Sequence, residues 1–139
     1  MPTAERAQLR YCFAMKLRIR GNSLRLRITR PELEQLASGG RVVETVTFPA
    51  GAELRYELAV DAHAGALAAD YHNNVVRVTI PPSRLREWQR EDQVELRAVQ
   101  STGKGSELAI LLEKDFPCPT PRAGEDDSQA FAKPAGGRK

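Results

Sequence analysis

The 139-residue chain holds only two cysteines, Cys12 and Cys118, both at the margins of its patterned region. Thiols so placed give neither a disulfide framework nor a zinc-binding spacing, and a reducing cytoplasm is the expected compartment. No apolar run approaches the roughly 18 residues that cross a bilayer, which leaves no transmembrane helix and no membrane partner to expect. The opening MPTAERAQLRYCFA lacks the ordered basic, apolar and small-residue regions of a signal peptide. Tryptophan occurs once, as Trp88, and histidine twice, as His63 and His72.

What the chain has instead is alternation. In MKLRIRGNSLRLRIT, residues 15–29, apolar and basic side chains alternate on both sides of Gly21-Asn22. Period two marks a strand with one buried face, and Gly-Asn suits a two-residue type II′ hairpin loop. Closing there sets Ile19 against Leu24 and Leu17 against Leu26. Arg20 then faces Ser23, Arg18 faces Arg25, and Lys16 faces Arg27. Every apolar residue meets an apolar one.

The net charge of +3 is unevenly spread. Residues 15–116 carry 15 Lys/Arg against 14 Asp/Glu, yet residues 15–30 hold six of those cations and no acid. The bulk is balanced and one ribbon is cationic, so overall basicity alone does not argue for nucleic acid.

Pattern begins sharply at Met15. Residues 1–14 are read as a disordered extension, or as the product of an upstream start codon chosen in place of Met15. Thr29 as N-cap, Glu32 three residues later and Pro31 in the first turn form a capping-box signature. Leu33, Leu36 and Ala37 share a helical face, and Gly39-Gly40 ends the helix. Strands are predicted at 41–48 and 53–60, then at 66–72 and 75–80 around an Asn73-Asn74 turn. That second hairpin sets Asp70 against Arg77, with Ala69 and Tyr71 against Val78 and Val76. After Pro81-Pro82, Ser83 is expected to cap a short helix bearing Leu85 and Trp88. A third hairpin pairs Val94, Leu96 and Ala98 with Leu112, Ile110 and Leu108 across a loop at 101–105. From Phe116 onward Pro, Gly, Ala and charge dominate, so 117–139 reads as a disordered tail. The sequence displays no internal repeat.

The fold expected for residues 15–116 is a single α+β domain: a mainly antiparallel, curved sheet or small barrel of about eight strands, with two short helices. MKLRIRGNSLRLRIT, Gly-Gly-Arg-Val, LRYEL, VTIP with Trp88 and Asp92-Gln93-Val94, and LLEKDFPC together resemble a bacterial family of small proteins known only as a domain of unknown function. The resemblance covers roughly residues 15–118 and implies a start at Met15. It implies no activity.

Like charges opposed across an antiparallel pair destabilise it by up to roughly 1 kcal/mol, so Arg18/Arg25 and Lys16/Arg27 need an offset. The first source is an acidic neighbouring strand carrying Glu53, Glu57, Glu95 or Glu113, which would make a charged ladder on the solvent face. The second is a bound anion held by Lys16, Arg18, Arg20, Arg25 and Arg27. The hairpin lacks the interleaved aromatics of single-strand binders, which disfavours nucleic acid. Asp61-Ala-His63 and Asp70-Tyr-His72 are weak metal candidates, since ordinary loop and surface roles account for them. Ser23 and Ser101 sit in turns without a nucleophile elbow. Residues 101–106, STGKGS, lack the Walker spacing. Cys118 has no positioned base, and no cofactor is expected.

Two function classes remain. One is a non-catalytic module that binds a protein or an anionic ligand. The other is a small barrel that handles phosphate compounds with its basic residues turned inward, although the Glu-x-Glu-x-Lys strand of triphosphate-tunnel enzymes is absent. Leu17, Ile19, Leu24 and Leu26 filling the interior would exclude a basic tunnel.

Overall fold

Eight strands and two helices follow one another in the order that the alternation predicts. The computed structural model of the protein describes residues 14–115. The readings of residues 117–139, of nearly all of 1–14, and of both cysteines fall outside that range. The strands are β1 (Lys16–Ile19), β2 (Ser23–Ile28), β3 (Arg41–Thr47), β4 (Glu53–Val60), β5 (Ala68–His72), β6 (Val75–Ile80), β7 (Glu95–Ser101) and β8 (Glu107–Lys114). Helix α1 (Arg30–Gly39) follows β2, and α2 (Pro82–Gln89) follows β6.

The α+β class holds, but the strands form neither one curved sheet nor a closed barrel. They divide into two four-stranded sheets, β1-β2-β8-β7 and β3-β4-β6-β5. Each joins two antiparallel hairpins through a parallel central pair, β2 with β8 and β4 with β6. Sequence alternation cannot reveal those parallel neighbours, because they are distant along the chain.

The two sheets are built alike, and this corrects the reading that the chain lacks a repeat. The first half, β1-β2-α1-β3-β4, corresponds element by element to β5-β6-α2-β7-β8. The registers also correspond. Lys16/Arg27 becomes Ala68/Thr79, Arg41/Ala59 becomes Glu95/Glu113, and Ser23/Ala109 becomes Val75/Arg55. Single hydrogen bonds repeat as well: Asp61 N donates to the Ile80 carbonyl at 3.1 Å, and Asp115 N to that of Ile28 at 2.7 Å. Each half sends one hairpin to each sheet, so neither half owns a sheet.

Local chemistry explains the corners. Gly21 takes φ +54 in a two-residue loop closed by mutual hydrogen bonds between Arg20 and Ser23. At the equivalent turn both Asn73 and Asn74 have positive φ, as a type I′ loop requires. Thr29 and Glu32 make the full capping box, and Gly40 closes α1 at φ +80. Helix α2 differs from expectation: its N-cap is Pro81, no side chain caps it, and Ser83 lies inside the first turn.

The third hairpin is offset by two residues from the sequence register. Leu96 meets Leu112, Ala98 meets Ile110 and Gln100 meets Leu108. A shift of two preserves which face each side chain takes, so hydrophobic pattern cannot detect it. Val94 lies before the strand, where its carbonyl accepts from Lys114 N at 3.1 Å and from Trp88 Nε1 at 3.3 Å.

Inward rows Leu17-Leu26-Leu112-Leu96 and Ala69-Val78-Leu58-Val42 run across the two sheets and contribute to a single core. Met15, Ile28, Leu36, Leu67, Ile80, Leu85, Trp88 and Ile110 complete its buried residues. Each buried aliphatic side chain contributes about 1.5–3 kcal/mol. Leu26 is 1% exposed and Leu17 and Leu24 pack on the core, whereas Ile19, near the hairpin tip, stands 61% exposed. The basic residues therefore face outward, and a basic tunnel is excluded.

Candidate anion-binding face

With leucines turned inward, the outer face of the first sheet presents three successive rows. The first is Lys16-Arg27-Glu113-Glu95, the second Arg18-Arg25-Leu111-Arg97, and the third Arg20-Ser23-Ala109-Val99. All five cations expected on one face from the hairpin register are there. Arg97, which the sequence reading did not single out, joins them from β7.

Row one is a charged ladder, as expected, but only Glu113 among the four anticipated acids supplies it. Glu113 lies 3.2 Å from Arg27 and 3.6 Å from Arg25. Asp115, just past β8, lies 3.3 Å from Lys16 and 4.0 Å from Arg27. Glu53 and Glu57 belong to the other sheet, and Glu95 pairs with Arg97 at 2.6 Å. Asp115 was legible only as an acid near the end of a strand. Its role depends on the parallel β2/β8 pairing.

Rows two and three are different. Arg25 faces Leu111 directly, and Arg18 stands beside Arg25 on the other side. Among the described residues no carboxylate lies within ion-pair distance of Arg18 or Arg20, and both are exposed. Ser23 and Ala109 are small, so the surface beside these arginines is low. Ser23 Oγ donates to the Arg20 carbonyl at 2.6 Å, which holds the turn.

The second sheet provides an internal comparison. Its row equivalent to Arg97-Leu111-Arg25-Arg18 is Val43-Glu57-Arg77-Asp70. There Arg77 Nε donates to Glu57 Oε2 at 2.9 Å, and the hydrogen bond and charge of Glu57 raise the guanidinium pKa further. Asp70 stands on Arg77's other side. One scaffold position thus carries an arginine set between two acids in one sheet, and in the other an arginine set between Leu111 and Arg18, with Glu113 of the next row 3.6 Å away.

The remaining candidates are ordinary. His63 and His72 are exposed, and His63 N donates to Asp61 Oδ1 at 2.9 Å in a turn. Asp70 faces Arg77, as expected. No group of three metal-ligating side chains occurs among the described residues. Residues 102–106 form the β7–β8 hairpin loop, and Ser101 at the end of β7 accepts at its Oγ from Gly103 N at 3.2 Å. Trp88 is fully buried and belongs to the core.

No helix among the described residues is long and apolar enough to cross a membrane. No curated protein and no solved structure matches the chain. A family of unknown function, DUF7009, matches residues 15–135, and the chain belongs to it.

Proposed function

We propose that this protein is a non-catalytic binding module whose ligand carries phosphate or similarly compact anionic groups. The ligand docks on the outer face of the first sheet, with Arg18, Arg20 and Arg25 as its contacts and Arg97 at the border. The observation that supports this reading is the contrast between equivalent rows. Where the second sheet sets Glu57 and Asp70 around Arg77, the first sets Leu111 and Arg18 around Arg25.

Arginine suits the task because its planar fork matches the oxygens of a phosphate. The described residues of this face include no aromatic side chain, which argues against stacking of single-stranded bases. The Glu113/Asp115 ladder sets the limit of the site, since it already neutralises Lys16 and Arg27 and reaches Arg25 at 3.6 Å.

Thermal unfolding in rising tripolyphosphate, with ionic strength matched by chloride, tests the reading. A ligand that binds the folded state raises the melting temperature with its occupancy. The wild type should show a saturable rise that the Arg18→Gln/Arg20→Gln variant loses. General exclusion effects raise both proteins alike. Parallel responses would overturn the proposal.

A further inference from the structure

Glu32 is 9% exposed, yet only neutral groups hold its carboxylate. Oε1 accepts from the Thr29 backbone N–H at 2.9 Å and from the Thr29 hydroxyl at 3.1 Å. Oε2 accepts from the backbone nitrogen of Met15 at 2.7 Å. Among the described residues no Lys, Arg or His side chain lies within ion-pair distance of it. Burying a carboxylate without a cation is costly, and the capping box by itself uses only Oε1.

The atom that Oε2 contacts is an amide nitrogen in the 139-residue chain. In a chain starting at residue 15 it is an ammonium. Met15 is otherwise built in: its side chain is 1% exposed, and its carbonyl accepts from the Tyr56 hydroxyl at 3.1 Å. The repeat supplies a control. The position equivalent to Met15 is Leu67, which is mid-chain, and there the residue in Glu32's place is Arg84. The acid occurs only in the half where a methionine precedes the first strand. The family match also begins at residue 15.

We infer that the functional chain begins at Met15 and that its α-ammonium is the resident counter-ion of Glu32. The long side chain of Lys16 favours retention of that methionine, because methionine aminopeptidases require a small second residue. The inference is independent of the anion-binding reading, since Glu32 and Met15 lie in the core.

Two measurements test it. The first compares melting temperatures of chains 1–139 and 15–139, each with and without Glu32→Gln. Gln keeps the size but only one acceptor oxygen, and that loss is common to both chains, so the extra fall in the shorter chain reports the charge. The fall on substitution should be larger in the 15–139 chain, by on the order of 5 °C. Equal falls, or a lower starting temperature for the shorter wild-type chain, would overturn the inference. The second is the N-terminal peptide mass of the protein made from its own gene with its natural upstream sequence. A peptide beginning at Met15 is expected. A peptide running through Ala14 into Met15 would overturn it.

Discussion

Arg25 on β2 and Arg77 on β6 occupy the same position in the two halves, and only Arg77 faces a carboxylate across its parallel pair. The Glu57 side chain behind Arg77 is 5% exposed, so it relies on that guanidinium. Arg77→Met should therefore cost roughly 1–3 kcal/mol, mostly from the stranded buried acid. Arg25→Met should cost under about 1 kcal/mol, because Glu113 keeps Arg27 and the pair it loses is solvent-screened. Urea unfolding of both variants checks the difference. Equal costs would mean that the two rows are not electrostatically distinct.

Leu26 tests which sheet face is buried. It is almost fully enclosed between Leu17 and Leu112. Leu26→Ala should destabilise by roughly 2–5 kcal/mol in denaturant unfolding. A loss below about 1 kcal/mol would contradict the inward orientation of the whole hairpin.

Gln100 joins the two sheets at the β5 edge. Its amide accepts from Ala69 N at 2.8 Å and donates to the Ala69 carbonyl at 3.0 Å, imitating a strand partner. The equivalent residue in the first half is Val46, which offers no such bonds. Gln100→Ala should cost about 1–2 kcal/mol and speed hydrogen exchange at the Ala69 amide. Unchanged exchange there would show that the edge is held by something else.

Lys114 offers a titration. Burial first, and repulsion from Arg30 second, hold its amine below the 10.5 of a free lysine. A lysine pKa lowered by folding opposes the folded state when charged. That penalty is full below the folded pKa and lifts as pH rises from there toward 10.5. An NMR titration of the Lys114 side chain should give a midpoint below 10.5. Arg30→Gln should raise it only partly, because burial remains. A wild-type midpoint at or above 10.5 would refute the assignment.

Local structure was legible where a turn residue pins the register. Gly21-Asn22 and Asn73-Asn74 fix their hairpins, and all paired residues agree with the alternation. The third hairpin has a longer loop, so its register could slide by an even step unnoticed. The repeat escaped detection because equivalent positions share burial rather than identity. Leu26 answers Val78, Leu36 answers Trp88, and a Gly-Asn turn answers an Asn-Asn turn. Half of the candidate site was legible, namely the cations of β1 and β2. The contributions of Arg97, Leu111 and Asp115 depend on β8 lying beside β2, which is a contact between segments far apart in the sequence. Glu32 read as a cap in the sequence, and nothing local indicated that its second oxygen meets Met15.

The parallel pair β2/β8 has a further consequence during synthesis. The first hairpin leaves the ribosome with one edge of β2 bare, and the strand that covers it is the last of the described strands to be made. At ordinary translation rates that interval is on the order of ten seconds. A bare, half-apolar edge invites pairing with the same hairpin of another nascent chain. Lys16, Arg18, Arg25 and Arg27 give every such hairpin the same charge, so two of them repel. The repulsion persists until Glu113 on β8 and Asp115 just past it arrive, so the acids that pair with Lys16 and Arg27 come with the strand that seals the edge.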